Sequence, residues 1–189
     1  SINVAKAAPE VDVIVTNITY YSPETIVVNV NTNGNVTIKV NGTVKGKELV
    51  IDNGKVELQL SDLAAGVYDV EVIYNGHENY TSATANDVFV VKQAPVTVDV
   101  EVSDINVTGN EIINVTISNV NATGDVIINV DGVNYTRPIA DGKANLTLDK
   151  LANGTHSVVV IYVGDRNLSG NWTSATFDVD RLSSELTIN

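Results

Sequence analysis

The chain has 189 residues, 43% hydrophobic and 18% charged, and 23 acidic against 11 basic side chains give it a formal charge of −12. That length holds one large domain or two of about 95 residues, each able to bury a core, and the apolar content excludes a disordered chain. The acidic balance excludes the basic footprint that nucleic acid or anionic lipid needs, and the absence of cysteine excludes disulfides and thiolate metal sites.

Residues 1–8 open the chain without the basic start or apolar centre of a signal peptide. They read as the last strand and linker of a preceding repeat, with Ile2 to Val4 as that strand. No run reaches the roughly eighteen apolar residues that span a bilayer, so direct membrane insertion is not expected. The chain is expected to be a segment of something longer.

Residues 9–92 form a first domain in which apolar residues alternate with the two-residue period of a strand buried on one face. Strands are expected at Val11 to Thr16, Thr25 to Asn31, Asn35 to Val40, Glu48 to Ile51, Lys55 to Leu60, Val67 to Tyr74 and Thr84 to Val91. Residues 93–181 repeat the pattern at Val96 to Val102, Ile112 to Ser118, Asp125 to Val130, Asn134 to Ile139, Lys143 to Leu148, His156 to Val163 and Thr173 to Val179. Residues 182–189 read as the start of a following repeat, with Glu185 to Asn189 as its first strand.

The repeat has a period of 88 to 90 residues: VTIKVNG at Val36 matches VIINVDG at Val126, DNGKVELQLSDLAAGVY at Asp52 matches ADGKANLTLDKLANGTH at Ala140, and VIYNG at Val72 matches VIYVG at Val160. Asn53-Gly54 and Asp141-Gly142 supply the positive φ angles of two-residue turns. About seven short strands per copy and no helix signal predict an all-β chain of two tandem β-sandwiches. The short, proline-containing junction Lys92-Gln93-Ala94-Pro95 is expected to stiffen the array.

LAAGVY at Leu63 to Tyr68 resembles the tyrosine corner of immunoglobulin-like sandwiches, and the second copy departs from it with His156. Tyr74, Gly76, Asn79 and Tyr80 in the first copy, with His77 in place of Asp, and Tyr162, Gly164, Asp165 and Asn167 in the second, with Leu168 in place of the aromatic, follow a Tyr-x-Gly-Asp-x-Asn-aromatic pattern. With the Asn/Asp-Gly-Lys turns, these residues resemble bacterial Ig-like repeats of the group 3 type, which in acidic, Asn/Thr-rich form are similar to repeats of adhesin-like surface proteins of methanogenic archaea. Leu168 to Asn171 read as a four-residue insertion, with NYTSAT at Asn79 and NWTSAT at Asn171 marking the entry to the last strand, and Asn79 aligns with either Asn167 or Asn171. The resemblance implies a non-catalytic, extracellular segment of a cell-surface adhesin. Its partners would be neighbouring repeats of the same chain and other cells or their surface polysaccharide or glycoprotein.

Twelve asparagines head Asn-x-Ser/Thr acceptor triplets: Asn17, Asn35, Asn41, Asn79, Asn106, Asn114, Asn121, Asn134, Asn145, Asn153, Asn167 and Asn171. Random order of 23 asparagines and 29 Ser/Thr residues gives about 3.5. Strand alternation alone also places Asn and Thr two apart on a solvent face. Both readings turn Val36, Ile38, Val115 and Ile117 inward, and glycosylation is the expected outcome.

Catalysis has no nucleophile motif or paired acid and base to stand on. His77 reads as a loop residue, His156 as an inward strand residue and Lys39 as a solvated one. No cofactor is expected; calcium, bound by loop carboxylates and Asn carbonyls, is the alternative left open, without an Asp-x-Asp-x-Asp-Gly loop to support it. Tyr20, Tyr21, Tyr80 and Trp172 are the candidate ligand contacts. Tyr80 and Trp172 share a repeated position, where plugging the sandwich end is the preferred reading. Val159 and Ile161 are expected to face outward as an apolar contact surface.

The expected function is a rigid stalk that presents, or contributes to, attachment. The alternatives are Ig-like units that themselves hold carbohydrate or a partner cell protein, and an accessory module of an extracellular hydrolase.

Overall fold

A computed structural model describes residues 2–184, all of whose regular structure is strand. The chain divides into two units between Gln93 and Ala94. Among the described residues no helix is long and apolar enough to cross a membrane.

The first unit runs β1 (Val11–Ile14), β2 (Ile18–Thr19), β3 (Glu24–Val30), β4 (Asn35–Val40), β5 (Thr43–Val50), β6 (Lys55–Leu60), β7 (Gly66–Tyr74) and β8 (Ala83–Lys92). The second runs β9 (Val98–Glu101), β10 (Ile105–Asn106), β11 (Glu111–Ile117), β12 (Asp125–Val130), β13 (Val133–Pro138), β14 (Lys143–Leu148), β15 (Gly154–Gly164) and β16 (Ser169–Asp180). Each unit is a sandwich of a three-stranded sheet, β1-β3-β6 or β9-β11-β14, and a five-stranded sheet, β2-β8-β7-β4-β5 or β10-β16-β15-β12-β13.

Alternation places the core. Ile26 and Val28 on β3, Val36 and Ile38 on β4, and Val72 and Tyr74 on β7 are wholly buried, as are Ile113, Val126, Ile128, Val158 and Val160 in the second unit. Each such aliphatic side chain contributes roughly 1.5–3 kcal/mol of transfer free energy.

Each unit holds eight strands rather than seven, because the expected first strand breaks and changes sheets. A buried carboxyl group sits at each break. Glu24 is fully buried; its Oε1 accepts from the backbone N–H of Thr16 at 2.8 Å and its Oε2 from the Thr16 hydroxyl at 3.0 Å. In the second unit Glu111 accepts from the backbone N–H of Ser103 at 2.9 Å. Beyond the break, β2 and β10 pair parallel with β8 and β16.

Asn53-Gly54 and Asp141-Gly142 do adopt positive φ, yet each turn passes from one sheet to the other rather than closing a hairpin within one. Hairpins turn instead at Asn41-Gly42 and Asp131-Gly132, also at positive φ. The first of these begins β5 at Thr43, five residues before the expected start at Glu48. Ile2 and Val4 are exposed and carry no strand pairing, and Glu185 to Asn189 lie outside the described residues.

The tyrosine corner is present in the first unit, where the Tyr68 hydroxyl donates to the Ala64 carbonyl at 2.8 Å and the ring stacks on Phe89 at 5.1 Å. His156 keeps the same place. Its Nε2 lies 2.8 Å from the Ala152 carbonyl and its ring stacks on Phe177 at 5.2 Å.

Candidate functional site

Strand register corrects the alignment of the two copies. Tyr74 pairs with Ala83 and Ile73 with Thr84 in the first unit; Tyr162 pairs with Asn171 and Ile161 with Trp172 in the second. Ala7 bridges Tyr80 just as Ala94 bridges Leu168. Each β7 or β8 residue therefore corresponds to the one 88 positions later, and no four-residue insertion exists. NYTSAT and NWTSAT are similar text at different places in the fold. Asn79 corresponds to Asn167, Tyr80 to Leu168, and Trp172 to Thr84.

That register decides the aromatic candidates. Tyr80 is half-buried against the first core, so its plug reading holds, and Leu168 plugs the second unit at 1% exposure. Trp172 is no plug: it stands on β16 with 64% of its surface exposed. Tyr20 also packs on the first core, while Tyr21 is exposed with its ring centroid 4.1 Å from that of Tyr20. These two meet each other; Trp172 belongs to the other unit.

Around Trp172 the outer face of the five-stranded sheet differs from its counterpart. In the first unit that face carries Thr37 and Lys39 on β4, Glu71 on β7 and Thr84 on β8, and Lys39 Nζ pairs with Glu71 Oε1 at 2.9 Å. Lys39 is thus outward, as expected, but partnered. The second unit puts Ile127 and Asn129 on β12, Val159 on β15 and Trp172 on β16 at the corresponding places. Ile161 faces outward beside Trp172, in line with the expectation for Val159 and Ile161. The replacement removes both charges. It leaves a shallow depression of about 510 Å³ lined by Val159, Ile161, Tyr162, Gly170, Asn171 and Trp172.

The hairpin under this face is pinned from below. Asp165 accepts from the backbone N–H groups of Thr123, Asn167 and Leu168 at 3.1, 2.8 and 2.8 Å. Burial pushes its carboxyl group up, but these bonds outweigh it and hold the group below its ordinary range. Burial, and then the neighbouring carboxylate of Asp165, push the Tyr162 hydroxyl up to about 12. Asn171 accepts from the Trp172 N–H and donates to the Val96 carbonyl, each at 2.8 Å, fixing the backbone that presents the indole.

Of the twelve acceptor asparagines, ten are exposed and Asn35 and Asn167 are half-buried. Several hold structure: Asn17 Oδ1 accepts from the Val90 N–H at 2.7 Å and Asn41 Oδ1 from the Asp69 N–H at 2.8 Å. Asn114 and Asn145 are cross-strand partners on the outer face of β11 and β14. Val36, Ile38, Val115 and Ile117 point inward, as both readings of the triplets require. Among the described residues, no group of three or more His, Asp or Glu side chains is placed to hold a metal ion. His77 is an exposed loop residue.

His156 and Asp131 make a titrating pair that alternation could not show. Asp131 corresponds to Asn41: its Oδ1 accepts from the Ser157 N–H at 2.9 Å, and its Oδ2 lies 2.5 Å from His156 Nδ1. The Ala152 carbonyl first, and the Asp131 side chain second, raise the imidazole above its ordinary 6.5. The Ser157 N–H, and then His156, lower Asp131 below its ordinary 3.8. Stability from the raised histidine is complete below about pH 6.5 and is lost as pH climbs through its folded value; that from Asp131 is lost as pH falls below about 4. Between about pH 6 and pH 9 the melting temperature of the second unit should therefore fall more than that of the first, which has Tyr68 and Asn41 at the corresponding places. Differential scanning calorimetry of His156→Tyr should show the difference removed, and equal slopes in parent and variant would deny the pair this part.

The family model described as Bacterial Ig-like domain (group 3) matches residues 12–93, the body of the first unit, and supports an Ig-like family for the sandwich. No curated protein sequence matches the chain. Fibronectin(III)-like modules of Clostridium thermocellum CbhA are 14% identical over 95% of this chain and 100% of that one, with a TM-score of 0.40. Titin Ig tandem domains A164-A165 are 11% identical over 93% of this chain and 97% of that one, with a TM-score of 0.38. Bacteroides ovatus SGBP-B of the mixed-linkage glucan utilization locus, in complex with a mixed-linkage heptasaccharide, is 16% identical over 92% of this chain and 48% of that one, with a TM-score of 0.37.

Proposed function

We propose, from two Ig-like sandwiches written in tandem, that the chain is a non-catalytic stalk segment of an extracellular, adhesin-like cell-surface protein, glycosylated in its native cell. The resemblance to repeats of methanogen surface proteins supports that setting, and the exposed acceptor asparagines support the glycosylation. The single observation that carries the stalk role is the parallel pairing of the second and last strands of each unit, β2 with β8 and β10 with β16. Ile18 and Thr19 pair with Val91 and Lys92, and Ile105 and Asn106 pair with Val179 and Asp180.

Force applied at the two ends of a unit pulls such strands in opposite directions along their lengths. Their hydrogen bonds are loaded together, in shear, rather than one at a time. Side chains reinforce both ladders, since the Val90 N–H donates to Asn17 at 2.7 Å and the Asp178 N–H to Asp104 at 2.8 Å.

Pulled from its ends in a force microscope, the chain should unfold in two separate steps, each releasing roughly 300 Å for a unit of some 93 residues. Asn17→Ala should lower the force of one step and leave the other unchanged. Gradual extension without discrete steps would remove the load-bearing role.

A further inference from the structure

We propose that the outer face of the second unit's five-stranded sheet binds an uncharged oligosaccharide, with Trp172 stacking on one sugar ring beside Ile161 and Val159. The site goes beyond the stalk role, because it belongs to one unit and is missing from the other. A spacer needs only that its units fold. It does not need the Lys39–Glu71 ion pair exchanged for Asn129 and Val159, or a threonine exchanged for an exposed tryptophan, on a single face.

The chemistry of the face selects the occupant. Its outward side chains Ile127, Asn129, Val159, Ile161, Trp172 and Ser174 carry no charge, and the charged groups farther along the same face, Asp125 on β12 and Asp178 on β16, are acidic, on a chain whose formal charge is −12. An anionic glycan or lipid would meet the acidic surroundings without a cation to receive it. A second copy of this chain would bring the same negative charge to the contact. It would also find only a handful of apolar side chains where a stable dimer buries about 800 Å² per partner.

A neutral sugar avoids both costs. One face of a pyranose ring is largely C–H and suits an exposed indole, and its rim of hydroxyls needs uncharged hydrogen-bonding neighbours. The flanks supply them: exposed Ser174 lies opposite Val159, and exposed Thr136 lies opposite Ile127. The depression of about 510 Å³ is within the usual range for small-molecule sites. It lies along strands, open at the side, as a segment of a longer polysaccharide would need.

Trp172 is the only tryptophan in the chain, so its emission reports the site directly. The unglycosylated chain is titrated with cellohexaose, xylohexaose and mannohexaose as neutral probes and with oligogalacturonate as the anionic one. The expected result is a saturable blue shift with at least one neutral probe and none with the anion. Calorimetry should then show affinity reduced about tenfold or more in Trp172→Ala and in Val159→Glu, which restores the residue type of the first unit. Both positions face solvent, and calorimetric melting of each variant confirms that it remains folded.

Three outcomes overturn the proposal: no shift with any neutral probe at millimolar concentration, binding that survives both substitutions, or self-association of the chain that Trp172→Ala abolishes. None of the three touches the unfolding steps by which the stalk role is judged.

Discussion

Glu24→Ala lowers the stability of the first unit by about 2–4 kcal/mol and leaves the melting of the second unit where it was. The side chain is fully buried, and its two oxygens take the backbone N–H and the hydroxyl of Thr16 where the chain leaves one sheet for the other. Alanine removes both acceptors and leaves a cavity at a fully buried position. Leucine fills much of the volume but still strands the Thr16 N–H, so Glu24→Leu falls between alanine and the parent. Glu24→Gln keeps an acceptor for the N–H and offers the Thr16 hydroxyl a donor, at a cost under about 1 kcal/mol. At the matching place in the second unit Glu111 receives a bond on Oε1 only, and its buried Oε2 has no partner, so Glu111→Ala costs less. Urea denaturation followed separately for each unit measures the series. An alanine variant as stable as the parent would mean that the carboxyl group does not hold the strand at its switch.

Gly142→Ala destabilises the second unit by about 3 kcal/mol, whereas Gly54→Ala costs the first about 1–2 kcal/mol. Both glycines have left-handed φ, 73° and 77°, and both carbonyls accept a core strand's N–H, from Ile117 at 2.7 Å and from Val30 at 2.9 Å. The left-handed conformation accounts for the shared part of the cost. A Cβ at Gly142 would also come within 2.9 Å of the Asn119 carbonyl oxygen and 3.0 Å of that of Ile117, while at Gly54 the approach to the Val30 oxygen is 3.2 Å. Backbone cannot rotate away as a side chain can, so the tighter turn must shift a strand. Thermal unfolding of the two variants checks the order, and equal losses would show that the turn yields without moving β11.

How much of this was legible follows from the range over which each signal acts. Strands such as Asn35 to Val40 and Lys143 to Leu148 were read at their true bounds, because the face a side chain takes alternates residue by residue. The tyrosine corner at Tyr68 was legible too, since leucine, glycine and tyrosine at fixed spacing are a local pattern. The sheet change near Thr16 carries a local signal, because Glu24 and Glu111 each sit at an inward position of a strand whose other inward residues are apolar. The pairing of His156 with Asp131 had none, because 25 residues and two strands, β13 and β14, separate them.

Trp172 shows the boundary between the two sources most directly. The sequence alone determined that two copies of one all-β unit follow each other, that their cores are Val, Ile and aromatic, and that Val159 and Ile161 face out, all of which rest on local periodicity and turn chemistry. It also offered a textual match between Asn79 and Asn171 that put Trp172 at a sandwich end. Only the tertiary structure decided that Ile161, not a loop, is the neighbour of Trp172. Register between strands is set by hydrogen bonds and core packing across the sheet, and a shift of four residues preserves the inward and outward alternation that a sequence displays.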